Sequence, residues 1–166
     1  MRTLLTLAMV LLVAACNTAE GFPRNVVIDS IAVHKRAHKM YLFEDGRLVG
    51  SYDIALGRDP YGAKRVKGDC KTPEGLYYIN GKNPNSDYYK NLGISYPNAE
   101  DRYVAKRMGR SPGGDIKIHG MPDGKGYLGS VHTATDWTLG CIAITNEQMD
   151  ELFYHVEVGT PIKIVP

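Results

Sequence analysis

Residues Thr135 to Thr145 read T-D-W-T-L-G-C-I-A-I-T. A polar, turn-forming lead passes through Gly140 into an apolar alternating run that begins directly after Cys141. Alternation with period two marks a half-buried strand, so the run is expected to enter a sheet. Buried cysteines ordinarily sit inside such runs as small apolar residues. Cys141 sits at the entrance instead. Core filler, half of a disulfide, metal ligand and nucleophile are all open to it.

Upstream of this stretch, D-I-K-I-H reads as a short strand ending at His119, followed by Gly120. Downstream, Thr145 with Gln148 forms a capping box for a helix through His155, with Met149, Leu152, Phe153 and Val156 on one face. G-T-P then turns the chain into a last strand, I-K-I-V. Towards the start, Asn25 to Val33 alternates as a strand. K-M-Y-L-F and L-V-G-S-Y-D-I-A-L make a hairpin around Asp45-Gly46. Gly57 to Pro73 reads as loop, G-L-Y-Y-I-N as a strand, and Gly81 to Asn91 as a long polar loop carrying Tyr88 and Tyr89. Asn98 to Met108 is expected to be a helix capped by Asn98 and stopped by Gly109. Many strands with two short helices imply a mainly β sandwich or barrel.

Composition agrees. A chain of 166 residues is long enough for one domain with a proper core. Eighteen glycines, nine prolines and eleven tyrosines suit turns and strands better than a helical bundle. A formal charge of +2 gives no electrostatic reason to expect a nucleic-acid partner.

The N-terminus reads as export machinery. Arg2 is followed by an apolar stretch from Leu4 to Val13, too short to span a bilayer and suited to a signal peptide over residues 1–15. It ends V-A-A-C, which resembles a bacterial lipobox with Cys16 as the lipidated residue. Residues 16–24 would then be the lipidated N-terminus and tether, and residues 25–166 the folded domain. The chain is expected to be exported, held by its lipid at the periplasmic face of the cell envelope.

His119-Gly120 closes one strand and Gly140-Cys141 opens another. A thiol nucleophile needs a base within reach, and imidazole has a suitable pKa. Glycines beside both residues let backbone or ligand approach closely. A zinc set of His119, His132, Asp136 and Cys141 does not have the spacing of a compact zinc motif, so no metal is expected.

These residues lie among longer ordered motifs: I-A-V-H-K-R-A-H-K-M-Y-L-F-E-D-G, G-D-C-K-T-P-E-G, I-S-Y-P-N, S-P-G-G-D-I-K-I-H-G and D-W-T-L-G-C-I-A-I-T-N-E-Q-M-D-E-L-F. Together, from about Ile28 to Val165, they resemble the L,D-transpeptidase catalytic domain, the YkuD family of bacterial cell-wall enzymes, in a subgroup with D-W-T-x-G-C-I-A. The resemblance implies a YkuD-like β-sandwich or barrel. It implies Cys141 as nucleophile, His119 as base, Gly120 orienting the imidazole and Gly140 beside the thiol. It also implies peptidoglycan stem peptides as substrate, with D-alanine expelled from diaminopimelate, and no cofactor. Trp137, Thr138, Tyr96, Tyr127 and His132 are the expected substrate contacts. An amine acceptor, a cell-wall-attached lipoprotein among the candidates, would take the acyl group, and the chain is expected to be a monomer. Hydrolysis of the same class of bond, as carboxypeptidase or endopeptidase, and non-catalytic peptidoglycan binding are the alternatives. Ala143 stands where the family usually has arginine, which removes the usual carboxylate partner; Arg102 or Arg107 are candidates to replace it. Cys70 is expected to stay free.

Overall fold

The computed structural model describes residues 22–166. The expected signal peptide, Cys16 and most of the expected tether therefore lie outside the described residues. Eight strands form one sheet: β1 (Ser30–His34), β2 (Lys39–Glu44), β3 (Arg47–Asp53), β4 (Gly75–Ser86), β5 (Tyr89–Ile94), β6 (Lys117–His119), β7 (Ile142–Ala143) and β8 (Pro161–Val165). Their order is β3-β2-β1-β8-β4-β5-β6-β7, with β1–β8 and β6–β7 parallel and every other pair antiparallel. Helices α1 (Ala99–Arg107) and α2 (Asn146–His155) are the two expected from sequence. A third, 3-10 segment spans Gly126–Ala134, where the sequence reading had placed no element.

The local chemistry explains most of these elements. Asp45 and Gly46 both have positive φ, 49° and 72°, which matches the twist of the hairpin they close. Each α-helix begins with a capping box, Asn98 with Asp101 and Thr145 with Gln148. The first strand is shorter than its alternation suggested. Ser30 begins it, and Ile28 only bridges to Val156.

The long polar loop expected between Gly81 and Asn91 is instead a hairpin. β4 runs on to Ser86 and β5 begins at Tyr89, leaving Asp87 and Tyr88 as the turn. Polar residues occupy this strand because its far half is solvent-facing and paired through backbone. β4 is also the corner of the sheet. Its first residues pair with β8, and after an irregularity between Ile79 and Gly81 it pairs with β5. The sheet therefore curls into a half-barrel. Beyond β3, Ala55 bridges antiparallel to Ala143, so the two ends of the curled sheet meet. Ile31, Val33, Met40, Leu42, Ile118 and Ile142 fill its inside, and α2 adds fully buried Met149 and Leu152. The charged segment after Ala55 is pinned from beneath. Buried Lys35 donates to Gly62 O, Thr72 O and the Glu74 carboxylate, and buried Lys64 pairs with Asp69 at 2.8 Å.

Candidate active site

The two strands at one end of the sheet, β6 and β7, hold the candidate residues. β6 and β7 run parallel with His119 opposite Ala143. Cys141 lies two positions before Ala143, so the imidazole and the thiol project from one face of the sheet. Both line a groove of about 580 Å³, together with Tyr88, Lys117, Trp137 and Arg58. A second groove of about 560 Å³, walled by Lys67, Cys70 and Gly113, meets the first at Cys141. Cys70 and Cys141 are both free.

Cys141 is held by a strained bend. Gly140 has φ of +131°, and a Cβ there would lie 2.6 Å from Lys71 O, so only glycine fits. Thr138 braces the bend: its hydroxyl donates to Cys141 O at 2.8 Å and accepts from Gly140 N–H at 3.0 Å. That hydroxyl and the Gly140 amide are thus engaged with each other. The thiol itself points at Asp115 O, 3.4 Å away. Burial raises its pKa, opposed by the Lys117 amide and ammonium.

His119 is 5% exposed and lies 2.7 Å, through Nδ1, from Gly120 O. A carbonyl only accepts, so Nδ1 carries the proton and Nε2 is the basic nitrogen. Tyr88 and Trp137 flank the ring at 4.7 and 5.6 Å between centroids. Burial lowers its pKa to about 4, the Gly120 bond opposing and His132 and Lys117 adding to the fall. Near neutrality the resting pair is therefore an uncharged thiol and an uncharged imidazole. Such a pair is suited to general-base transfer rather than to a resting thiolate–imidazolium ion pair.

The other expected residues divide. Trp137 lines the groove, and its carbonyl accepts from Arg58 Nε. His132 lies behind Trp137, 6.4 Å ring to ring and buried. Tyr96 is not brought to the groove: it is buried against Tyr77, and its hydroxyl donates to Pro112 O. Tyr127 is 81% exposed on the 3-10 segment and lines neither groove. Arg102 and Arg107 sit on α1, away from both grooves; the cations lining the first are Arg58 and Lys117. Position 143 is fully buried and bridged to Ala55. Among the described residues no cluster of three or more His, Cys, Asp or Glu is arranged for a metal. Asp136 instead accepts from Leu56 N–H and pairs with His38.

Sequence reasoning placed Tyr88 on a long polar loop. Its position over His119 follows from the unforeseen hairpin turn. Asn146 went unnoticed altogether. Its side chain accepts from Met121 N–H at 2.8 Å and so ties the loop after His119 to the start of α2.

Comparison with known proteins agrees with the fold. The L,D-transpeptidase catalytic domain (YkuD) family profile matches residues 28–164. YafK of Escherichia coli, provisionally named an L,D-transpeptidase, is 36% identical over 115 residues, covering 68% of this chain and 39% of that protein. YqjB of Bacillus subtilis, provisionally named likewise, is 28% identical over 135 residues, covering 81% of this chain and 69% of that protein. Among solved structures, the helical cell shape determining protein Pgp2 of Campylobacter jejuni aligns with TM-score 0.63 and 28% identity, covering 84% of this chain and 48% of that one. An Enterococcus faecium L,D-transpeptidase mutant shares the fold at TM-score 0.54 and 21% identity, covering 84% of this chain and 50% of that one. The chain thus spans about two-fifths of the Escherichia coli relative and about half of these structures.

Proposed function

The chain belongs to the L,D-transpeptidase catalytic domain (YkuD) family, and from that premise we propose that it is a peptidoglycan L,D-transpeptidase with Cys141 as nucleophile. The observation that carries this reading is the Cys141–His119 pair on one sheet face above an open groove. His119 Nε2 takes the thiol proton as sulfur bonds to the carbonyl at the L-centre of diaminopimelate. The bond to the terminal D-alanine nitrogen breaks, and the proton passes from the imidazole to that nitrogen. The thioester is resolved by an amine acceptor, a second diaminopimelate or a lysine of a cell-wall-attached lipoprotein. No cofactor enters. The D-W-T-L-G-C-I-A stretch supports membership of the corresponding subgroup, in which Gly140 and Thr138 shape the bend and Trp137 walls the groove.

Incubation with disaccharide-tetrapeptide, with products identified by mass, tests the reading. Cross-linked dimer and free D-alanine are expected. Cys141→Ala should abolish both, and His119→Ala should slow release by about a hundredfold or more. Tripeptide without cross-links would make the chain a hydrolase. Unchanged substrate with no adduct on Cys141 would leave only a binding role.

We place this activity, also as a proposal, at the periplasmic face of the envelope, in a monomer anchored through lipid on Cys16. Stable anchoring requires more than one acyl chain, which a lipidated N-terminal cysteine carries. Cys16→Ser should therefore remove the lipid mass and shift the protein out of the membrane fraction. Wild-type protein recovered soluble and without lipid would refute the anchor and leave the chemistry intact.

A further inference from the structure

One peptide unit links the His119 ring to α2. The ring Nδ1–H donates to Gly120 O at 2.7 Å. The N–H on the other side of that same peptide, Met121 N–H, donates to Asn146 Oδ1 at 2.8 Å. The unit is planar and trans, so its carbonyl and its amide point in opposite directions and turn together. The preceding peptide is held by backbone: His119 O accepts from Ile144 N–H at 3.0 Å, and Gly120 N–H donates to Lys90 O at 3.2 Å. The Gly120–Met121 peptide is held by two side chains instead. Glycine at its head lets the plane swing, and a Cβ there would lie 2.6 Å from Asn146 Oδ1.

Asn146 is itself well fixed. It is the first residue of α2, directly after the capping residue Thr145. Accepting from Met121 N–H settles which end of its amide is oxygen. The nitrogen end faces Gly126, where a Cβ would lie 2.7 Å from Nδ2. The amide thus sits between two glycines that leave room for it.

We propose that Asn146 is a positioning residue for the general base. Through the Gly120–Met121 peptide it holds the His119 ring in the Nδ1–H tautomer, leaving Nε2 free to take the Cys141 proton. The proposal rests on the Cys141–His119 reading of the site. With the peptide turned away, the Nδ1 proton loses its acceptor and the two neutral tautomers become comparable. The Nε2–H form has no lone pair for the thiol proton at that nitrogen.

The test uses the purified full chain and follows the His119 ring by nitrogen–proton correlation NMR at neutral pH. Its signals are identified by their absence from His119→Asn. The wild-type ring should show the Nδ1–H tautomer alone. Asn146→Ala should bring in about a third of the Nε2–H form and lower kcat about tenfold, with KM held within about twofold. Asn146→Asp, whose carboxylate accepts the same N–H, should keep the wild-type tautomer. Gly126→Ala acts from the other side. Its methyl meets only the end of the Asn146 side chain and leaves the Thr145 cap in place, so it should fold and shift the tautomer as Asn146→Ala does. A merely structural Asn146 would change Tm in these variants and leave the ring a single Nδ1–H tautomer, and that result overturns the proposal. If the wild type processes no tetrapeptide and Cys141 is never acylated, the transpeptidase reading fails instead. The tautomer measurement needs no substrate and still decides the role of Asn146.

Discussion

His119 is a weak base because of what covers it. Its lowered pKa comes first from burial, and the Tyr88 ring lies against it at 4.7 Å between centroids. Tyr88→Ala should therefore move the acid limb of kcat/KM from near pH 4 towards the ordinary 6.5, because an exposed imidazole is protonated more readily. Activity at pH 5 relative to pH 8 should fall about twofold or more, while Tyr88→Phe should keep the wild-type profile. An unchanged acid limb in Tyr88→Ala would show that the ring plays no part in tuning the base. Cys141 and His119 were legible in the sequence as candidates because thiol and imidazole carry chemistry by residue type, each marked by an adjacent glycine. Tyr88, Asn146 and the burial of the His132 ring were not, because their meaning lies in neighbours distant along the chain.

At the scale of elements, the two α-helices start alike and matter differently. Losing a capping side chain costs about 1 kcal/mol, so Asn98→Ala and Thr145→Ala should each lower Tm by about 2–4 °C. Only Thr145→Ala should also lower kcat/KM. The start of α2 directly follows β7, and its Asn146 holds the loop after His119, whereas α1 lines neither groove. Thr145→Ser should restore both properties. Equal activity loss in the two alanine variants would remove the special role given to α2. Both helices were readable because capping boxes and stop glycines are local. The β4–β5 hairpin was not, since polar residues with a half-exposed strand look like loop until a partner strand is known. The 3-10 segment escaped for a similar reason: broken at Gly129, it has no helical apolar period.

For the whole molecule, burying neutral histidines ties stability to pH. His119 and His132 both have lowered pKa values, so between pH 6.5 and about 4 the unfolded chain binds more protons than the folded one. Stability should rise with pH across this window and be lost on acidification, by on the order of 3 kcal/mol for His119 alone. Asp69, lowered by Lys64 and backbone donors despite opposing burial, adds its own loss only below its usual 3.8. Urea unfolding at pH 7 and pH 4.5 measures the slope, and His119→Asn should flatten it. A slope unchanged in that variant would mean the imidazole is solvated in solution. By itself the sequence determined the β-rich class, the capped helices, the hairpin turn and which residues are candidates for nucleophile and base, since each depends on residue type and short-range spacing. Tertiary structure alone decided that Ala55 meets Ala143 to close the curled sheet. It also decided that Tyr96 serves the core, and that His132 is enclosed beside the groove. Those outcomes depend on strand order and long-range packing, to which short-range residue patterns are blind.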